Sequence, residues 1–112
     1  MPRRCCAAVD LARPRLVVFP TLVYGDPPRA QAEWSVPGDI GRRYAAVSGD
    51  RNPIHLHGWS AKLFGMPRPI AHGMWVKARC LAELESTLPA AFSVDVRFKL
   101  PLFLPAQVAF GV

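Results

Sequence analysis

Hydrophobic and polar residues change period several times between Pro37 and Val112, and each change marks an element. After Pro37-Gly-Asp39, the residues Ile40, Tyr44 and Val47 recur at helical spacing. Gly49 suits the left-handed position that ends such a helix, which leaves Asp50 in a turn just beyond it. Asn52-Pro53 is a second start signal, because asparagine caps a helix and proline fits its first position. His55 is thereby predicted at the third position of a short helix reaching about Phe64, with Gly65-Met-Pro67-Arg-Pro69 as a loop. Gly73 to Leu88 is the longest helical pattern, stopped by Pro89. Its polar positions Arg79, Glu83 and Ser86 form one narrow stripe, and Met74, Ala78, Leu81, Leu84 and Leu88 cover much of the rest. So small a polar face predicts a helix largely enclosed by other elements, a pattern into which Lys77 and Glu85 do not fit.

Strict alternation follows: Val94, Val96, Phe98 and Leu100 against Asp95, Arg97 and Lys99, the pattern of a half-buried strand. Pro101 and Pro105 mark a turn, and Val108, Phe110 and Val112 begin another alternating strand in which the sequence ends. One long helix and two good strands leave sheet edges unpaired, so the expectation is an α+β domain over residues 37–112 that is truncated at its C-terminus. Residues 1–36 hold five prolines and no sustained period beyond a short strand at Leu16-Val-Val-Phe. They are expected to be a linker or the remnant of a preceding region.

Composition narrows the class. With 51% hydrophobic and 20% charged residues in 112 positions, the chain is a single globular domain with a modest core. No apolar run approaches the roughly 18–20 residues a membrane span needs, and Pro20 breaks the longest early stretch, which also argues against a secretory signal. A cytoplasmic protein is the expectation. The net charge of +6 is divided evenly, seven basic and four acidic groups in residues 1–43 and the same in 44–112. Nucleic-acid binders concentrate positive charge in a stripe or arm, and only Arg3-Arg4 and Arg42-Arg43 are doublets, so no nucleic acid is expected as partner. A diffuse excess favours anionic small ligands. Cys5 and Cys6 are adjacent and Cys80 lies within the long helix as a small buried hydrophobe, so there is no disulfide framework.

The candidate chemistry is concentrated in Tyr44-Ala-Ala-Val-Ser-Gly-Asp50-Arg-Asn52-Pro-Ile-His55, which sets a carboxylate and an imidazole five residues apart around an Asn-Pro turn. Either residue alone reads as a turn acid or a packed histidine; together they form a candidate acid/base pair. A helix start near His55 disfavours imidazolium, and a nearby carboxylate favours it. His72-Gly73 opens the long helix, where free backbone N–H groups are natural partners for a carbonyl oxygen gaining charge. Simple packing of the helix end is the competing reading for Gly73. His55, His57 and His72 lack a fourth ligand at a convincing spacing, so no metal is expected. Trp59 and Trp75 beside these segments read as core.

The Asp50 segment, with Ala61 six residues beyond His55, resembles the signature of the MaoC-like dehydratases, or R-specific enoyl-CoA hydratases. Ala61-Lys-Leu-Phe-Gly65 with Ile70-Ala-His72-Gly73-Met74 is similar to that family's approach to its central helix, and Val96 to Pro105 to the strand after it. The resemblance covers roughly residues 36–112. It implies a hot-dog fold, a long helix wrapped by an antiparallel sheet, paired as dimers or tandem units. It further implies addition or removal of water across the 2,3-bond of acyl thioesters, with coenzyme A or acyl carrier protein as substrate carrier and no separate cofactor. Asp50 and His55 are the implied catalytic residues, and Asn52, His72 and Gly73 are expected to bind substrate. A non-catalytic or truncated hot-dog subunit, acting by pairing with a partner, is the alternative.

Overall fold

The computed structural model describes residues 6–10, 15–19, 30–92, 94, 96, 98 and 101–111. Its elements in order are strands β1 (Cys6–Asp10), β2 (Arg15–Phe19) and β3 (Ala30–Val36), helices α1 (Ile40–Ser48), α2 (Gly58–Leu63) and α3 (Gly73–Leu84), and strand β4 (Ala106–Gly111). Two antiparallel pairs result, β1 with β2 and β3 with β4. This is an α+β domain with helices and a small antiparallel sheet. The short strand expected at Leu16–Phe19 is present within β2.

Strand β3 corrects the reading of residues 1–36 as lacking a sustained period outside Leu16–Phe19. Ala32, Trp34 and Val36 are at least partly buried, whereas Gln31, Glu33 and Ser35 face solvent. The strand joins first and last parts of the chain through the register Trp34↔Val108 and Val36↔Ala106. On the exposed face Ser35 and Gln107 bond across the pair at 2.9 Å and 2.7 Å. The alternating residues expected to form a strand from Val94 to Leu100 lie in large part outside the described residues, as does Val112.

Two apolar clusters hold these elements together. Cys80 and Leu84 of α3 meet Phe110 of β4, with Trp34, Val76 and Val96 against them. Val36, Ala71, Leu102, Leu104 and Val108 form the second, flanked by Ile40 and Trp75. Phe110, Leu104 and Val36 are the largest side chains fully buried, each contributing about 1.5–3 kcal/mol relative to exposure. Cys80 is buried, as its apolar neighbours in sequence indicate.

Helix α3 is less enclosed than its narrow polar stripe implies. Met74 is 55% exposed and Ala78 also faces solvent, while Arg79 lies 4.3 Å over the Trp34 ring and donates to Glu83 at 2.7 Å. The long Arg79 stem thus covers Trp34, and apolar residues on the opposite side stay open. Glu85–Thr87 continue α3 as a tighter turn. Trp75 does pack on the core, but Trp59 is 68% exposed and stacks on His57 instead.

The expected single helix from Asn52 to Phe64 is two elements. Pro53–His55 form one tight turn, His57 is extended (φ −139°, ψ 155°), and α2 starts at Gly58. Ser60 explains the break: its buried hydroxyl donates to the Pro53 carbonyl at 2.8 Å and accepts from the His57 N–H at 3.2 Å. That side chain supplies bonds which a continuous helix would have made along its own backbone. Gly49 closes α1 in the left-handed conformation, with φ 78° and its N–H on the Ala45 carbonyl.

Candidate active site

Three short segments meet at the start of α3. The first is the exposed loop Gly49–Asn52; the second, the turn Pro53–His55; the third, the extended stretch Pro69–His72. That stretch is fixed on both sides. Ile70 donates to the Ile54 carbonyl at 3.0 Å, Ala71 to Leu102 at 2.9 Å, and Leu104 to Pro69 at 2.8 Å. Ile70 and Phe103 form a β-bridge.

The Asn52-Pro53 signal builds the turn as the sequence implies. The Asn52 side-chain oxygen accepts from the Ile54 N–H at 3.3 Å, and Pro53 occupies the first turn position. The Asp50 carboxylate in turn accepts from the Asn52 N–H at 3.1 Å, and Ser48 Oγ accepts from the Asp50 N–H at 3.2 Å. Asn52 therefore spends its oxygen on local geometry. That oxygen helps to aim the turn.

His55 is buried, with its Nδ1 2.6 Å from the Ile70 carbonyl oxygen. A carbonyl can only accept, so Nδ1 carries the proton and a neutral ring keeps its lone pair on Nε2. Burial pushes the imidazole below its ordinary value of 6.5, opposed by the Ile70 bond, helped by His72 and opposed weakly by Asp50. Desolvation is thus the chief cause of the lowering, where the sequence left the net direction open. A base with an available lone pair near pH 7 is the outcome.

His72 is 3% exposed and its ring stacks on that of His55, with centroids 3.8 Å apart and planes inclined by 24°. Its Nε2 donates to the main-chain oxygen of Asp50 at 2.9 Å, and Tyr44 meets it edge-on at 4.8 Å. The Asp50 carboxylate stands 3.8 Å from the same nitrogen and remains half open to solvent. One carboxylate oxygen and one ring nitrogen each from Asp50, His55 and His72 lie within 4.8 Å of one another. Such an oxygen and two nitrogens are a ligand set a metal ion could use, and a carboxylate beside an imidazole is equally the pairing that proton transfer requires. His57, weighed with His55 and His72 as a ligand, lies apart, its Nδ1 3.4 Å from Arg42 and its ring on Trp59.

Gly73 begins α3, and the N–H groups of that first turn have no partner earlier in the helix. The Phe98 ring approaches so closely that a Cβ on Gly73 would come within 2.9 Å of it. Packing is one demonstrated reason for glycine here. The structure therefore brings Asp50, His55 and His72 together and sets Asn52 and Gly73 beside them. Sequence reasoning missed Ile70, whose carbonyl selects the His55 tautomer, and Gly41, buried in α1 against the His55 backbone.

The profile described as MaoC like domain matches residues 21–112. The chain is 51% identical over 86 residues to 3-hydroxyacyl-thioester dehydratase X of Mycobacterium tuberculosis, covering 77% of this chain and 30% of that protein. It is 36% identical over 69 residues to the (R)-specific enoyl-CoA hydratase of Aeromonas caviae, covering 58% of this chain and 52% of the other. The crystal structure of HtdX from Mycobacterium tuberculosis superposes with a TM-score of 0.61 at 42% identity, over 76% of this chain and 36% of that one. The chain spans about a third of the mycobacterial relative and about half of the Aeromonas one.

Proposed function

The chain belongs to the MaoC like domain family, and from that premise we propose that it is a hydro-lyase, adding or removing water across the 2,3-bond of acyl thioesters in fatty-acid metabolism. The observation that carries the reading is the meeting of a half-exposed Asp50 carboxylate with a buried His55 whose Nδ1 is tied to Ile70. The likeness to a dehydratase and a hydratase acting on such substrates supports it.

Dehydration of a 3-hydroxyacyl thioester breaks the C2–H and C3–O bonds and forms the 2,3-double bond, releasing water. It needs one group to take the α-proton, one to protonate the departing hydroxyl, and a partner for negative charge on the thioester oxygen. His55 Nε2 and the Asp50 carboxyl are the two proton-transfer groups, each worth roughly 10²–10⁴-fold when positioned. The first-turn N–H groups of α3, at Gly73, face the thioester oxygen in this scheme. Hydration runs the same steps in reverse, the pair holding and activating water. Coenzyme A or acyl carrier protein carries the acyl group, and no cofactor takes part.

The test is hydration of crotonyl-CoA, followed by loss of enoyl absorbance, by the wild type, Asp50→Asn and His55→Gln. Activity in the wild type and its loss in both variants supports the assignment; equal rates in all three remove it.

The second reading, a hot-dog subunit that works by pairing, is favoured by the open apolar side of α3 at Met74 and by Phe98, which is 50% exposed. In this arrangement a second hot-dog unit, from another copy or a partner, covers that side and completes the wrapping of the helix. Sedimentation of the purified chain distinguishes a dimer from a monomer, and a monomer with full activity counts against pairing.

A further inference from the structure

The loop that carries Asp50 is joined to the rest of the fold in an unusual way. Residues 49–52 are all exposed. Their hydrogen bonds among the described residues are local: Gly49 N–H to Ala45, Asp50 N–H to Ser48, Asn52 N–H to Asp50, and the two bonds that Ile54 and His55 make to Asn52. None spans more than four residues. The one exception is His72 Nε2 to the Asp50 carbonyl, which crosses 22 residues.

That bond comes from the same extended stretch that fixes His55. Ile70 holds His55 through its carbonyl, and two residues later the His72 ring holds Asp50 and stacks on His55. The stretch itself is locked between Ile54 and Leu102. Two proton-transfer groups on one segment are therefore registered against each other by a second segment. The ring also bears a cost. A neutral His72 that donates through Nε2 leaves Nδ1 as an acceptor, and this nitrogen is buried with no hydrogen-bond partner. A buried orphan of this kind asks for a reason, because leaving such a group unmade costs about 1–3 kcal/mol. A phenylalanine would fill the space without that cost and could not hold Asp50.

We propose that His72 is a positioning residue, which clamps the Asp50 main chain and the face of the His55 ring so that the carboxylate and Nε2 address one substrate. This inference rests on the hydro-lyase reading for its consequence in catalysis, and on geometry alone for the clamp. It replaces direct substrate contact as the role of His72, whose side chain is buried and whose one donor is already engaged. The charged and titratable groups facing it are Asp50, His55 and the Tyr44 ring.

Two variants separate the parts of the clamp. His72→Phe keeps an aromatic ring over His55 and removes the donor; His72→Gln keeps an N–H donor near the Nε2 position and removes the ring. The measurements are amide hydrogen exchange at Asp50 and Asn52 without substrate, and kcat and KM for crotonyl-CoA. His72→Phe is expected to speed exchange at both amides and to lower kcat about 10²-fold with KM changed by less than about threefold, the size of effect that misplacement by an ångström produces. His72→Gln is expected to retain slower exchange and to recover part of kcat. Exchange in His72→Phe equal to wild type overturns the clamp, and so does His72→Gln losing protection and kcat as fully as His72→Phe. Failure of the wild type to turn over crotonyl-CoA would fell the hydro-lyase reading instead, and the exchange comparison still decides the clamp.

Discussion

Gly41 in α1 lies against the backbone of His55, so that a Cβ on Gly41 would overlap the His55 carbonyl oxygen. The first helix and the turn bearing His55 are thus in direct main-chain contact. Neither backbone can yield cheaply, because the turn is pinned by Asn52 on one side and by Ile70 on the other.

Gly41→Ala is accordingly expected to destabilise the protein by at least about 1–3 kcal/mol, the usual penalty of forced overpacking. It should also reduce activity beyond what unfolding explains, since relief of the clash moves His55. Urea denaturation and kcat on the folded fraction measure the two effects. An unchanged midpoint and rate would show that the contact is not a constraint.

The lowered pKa of His55 gives a definite sign to the pH dependence of stability. Below its ordinary value of 6.5 the unfolded chain takes up a proton that the folded chain resists. Stability from this group is therefore complete above 6.5 and is lost as pH falls through 6.5 toward the folded value. The urea midpoint of the wild type should fall between about pH 7.5 and about pH 5.5 by more than that of His55→Gln. Parallel profiles would contradict it. By the same logic the acid limb of kcat/KM should lie below 6.5.

Asn52→Ala removes the oxygen that caps the Pro53–His55 turn. The expected cost is about 0.5–2 kcal/mol in thermal or urea unfolding, as for other caps. Asn52→Asp, which keeps an acceptor, should recover most of that stability. A loss equal in both variants would show that the cap is not what Asn52 contributes.

Much of this site is legible because its signals are local. Gly49 ends α1 and Asn52-Pro53 starts the turn, each through contacts no more than four residues away. The break at His57 is harder to see, since it depends on which of several backbone groups the Ser60 hydroxyl reaches. Strand β3 has a clear signal in Ala32, Trp34 and Val36 against Gln31, Glu33 and Ser35, which the prolines before it obscure. The bonds from Ile70 to His55 and from His72 to Asp50 cross 15 and 22 residues and have no periodicity to betray them. The open face of α3 is invisible for a related reason. A count of apolar residues says what a helix can bury, and Met74 shows that the described residues do not cover all of it.

The joint action proposed for Asp50 and His55 is tested most directly by a double-mutant cycle on crotonyl-CoA hydration. Asp50→Asn and His55→Gln are each expected to lower kcat by roughly 10²–10⁴-fold. The double variant should be no slower than the worse single one, because groups that act as a unit lose their effect together. Losses that multiply, or full activity in either single variant, would contradict a shared site.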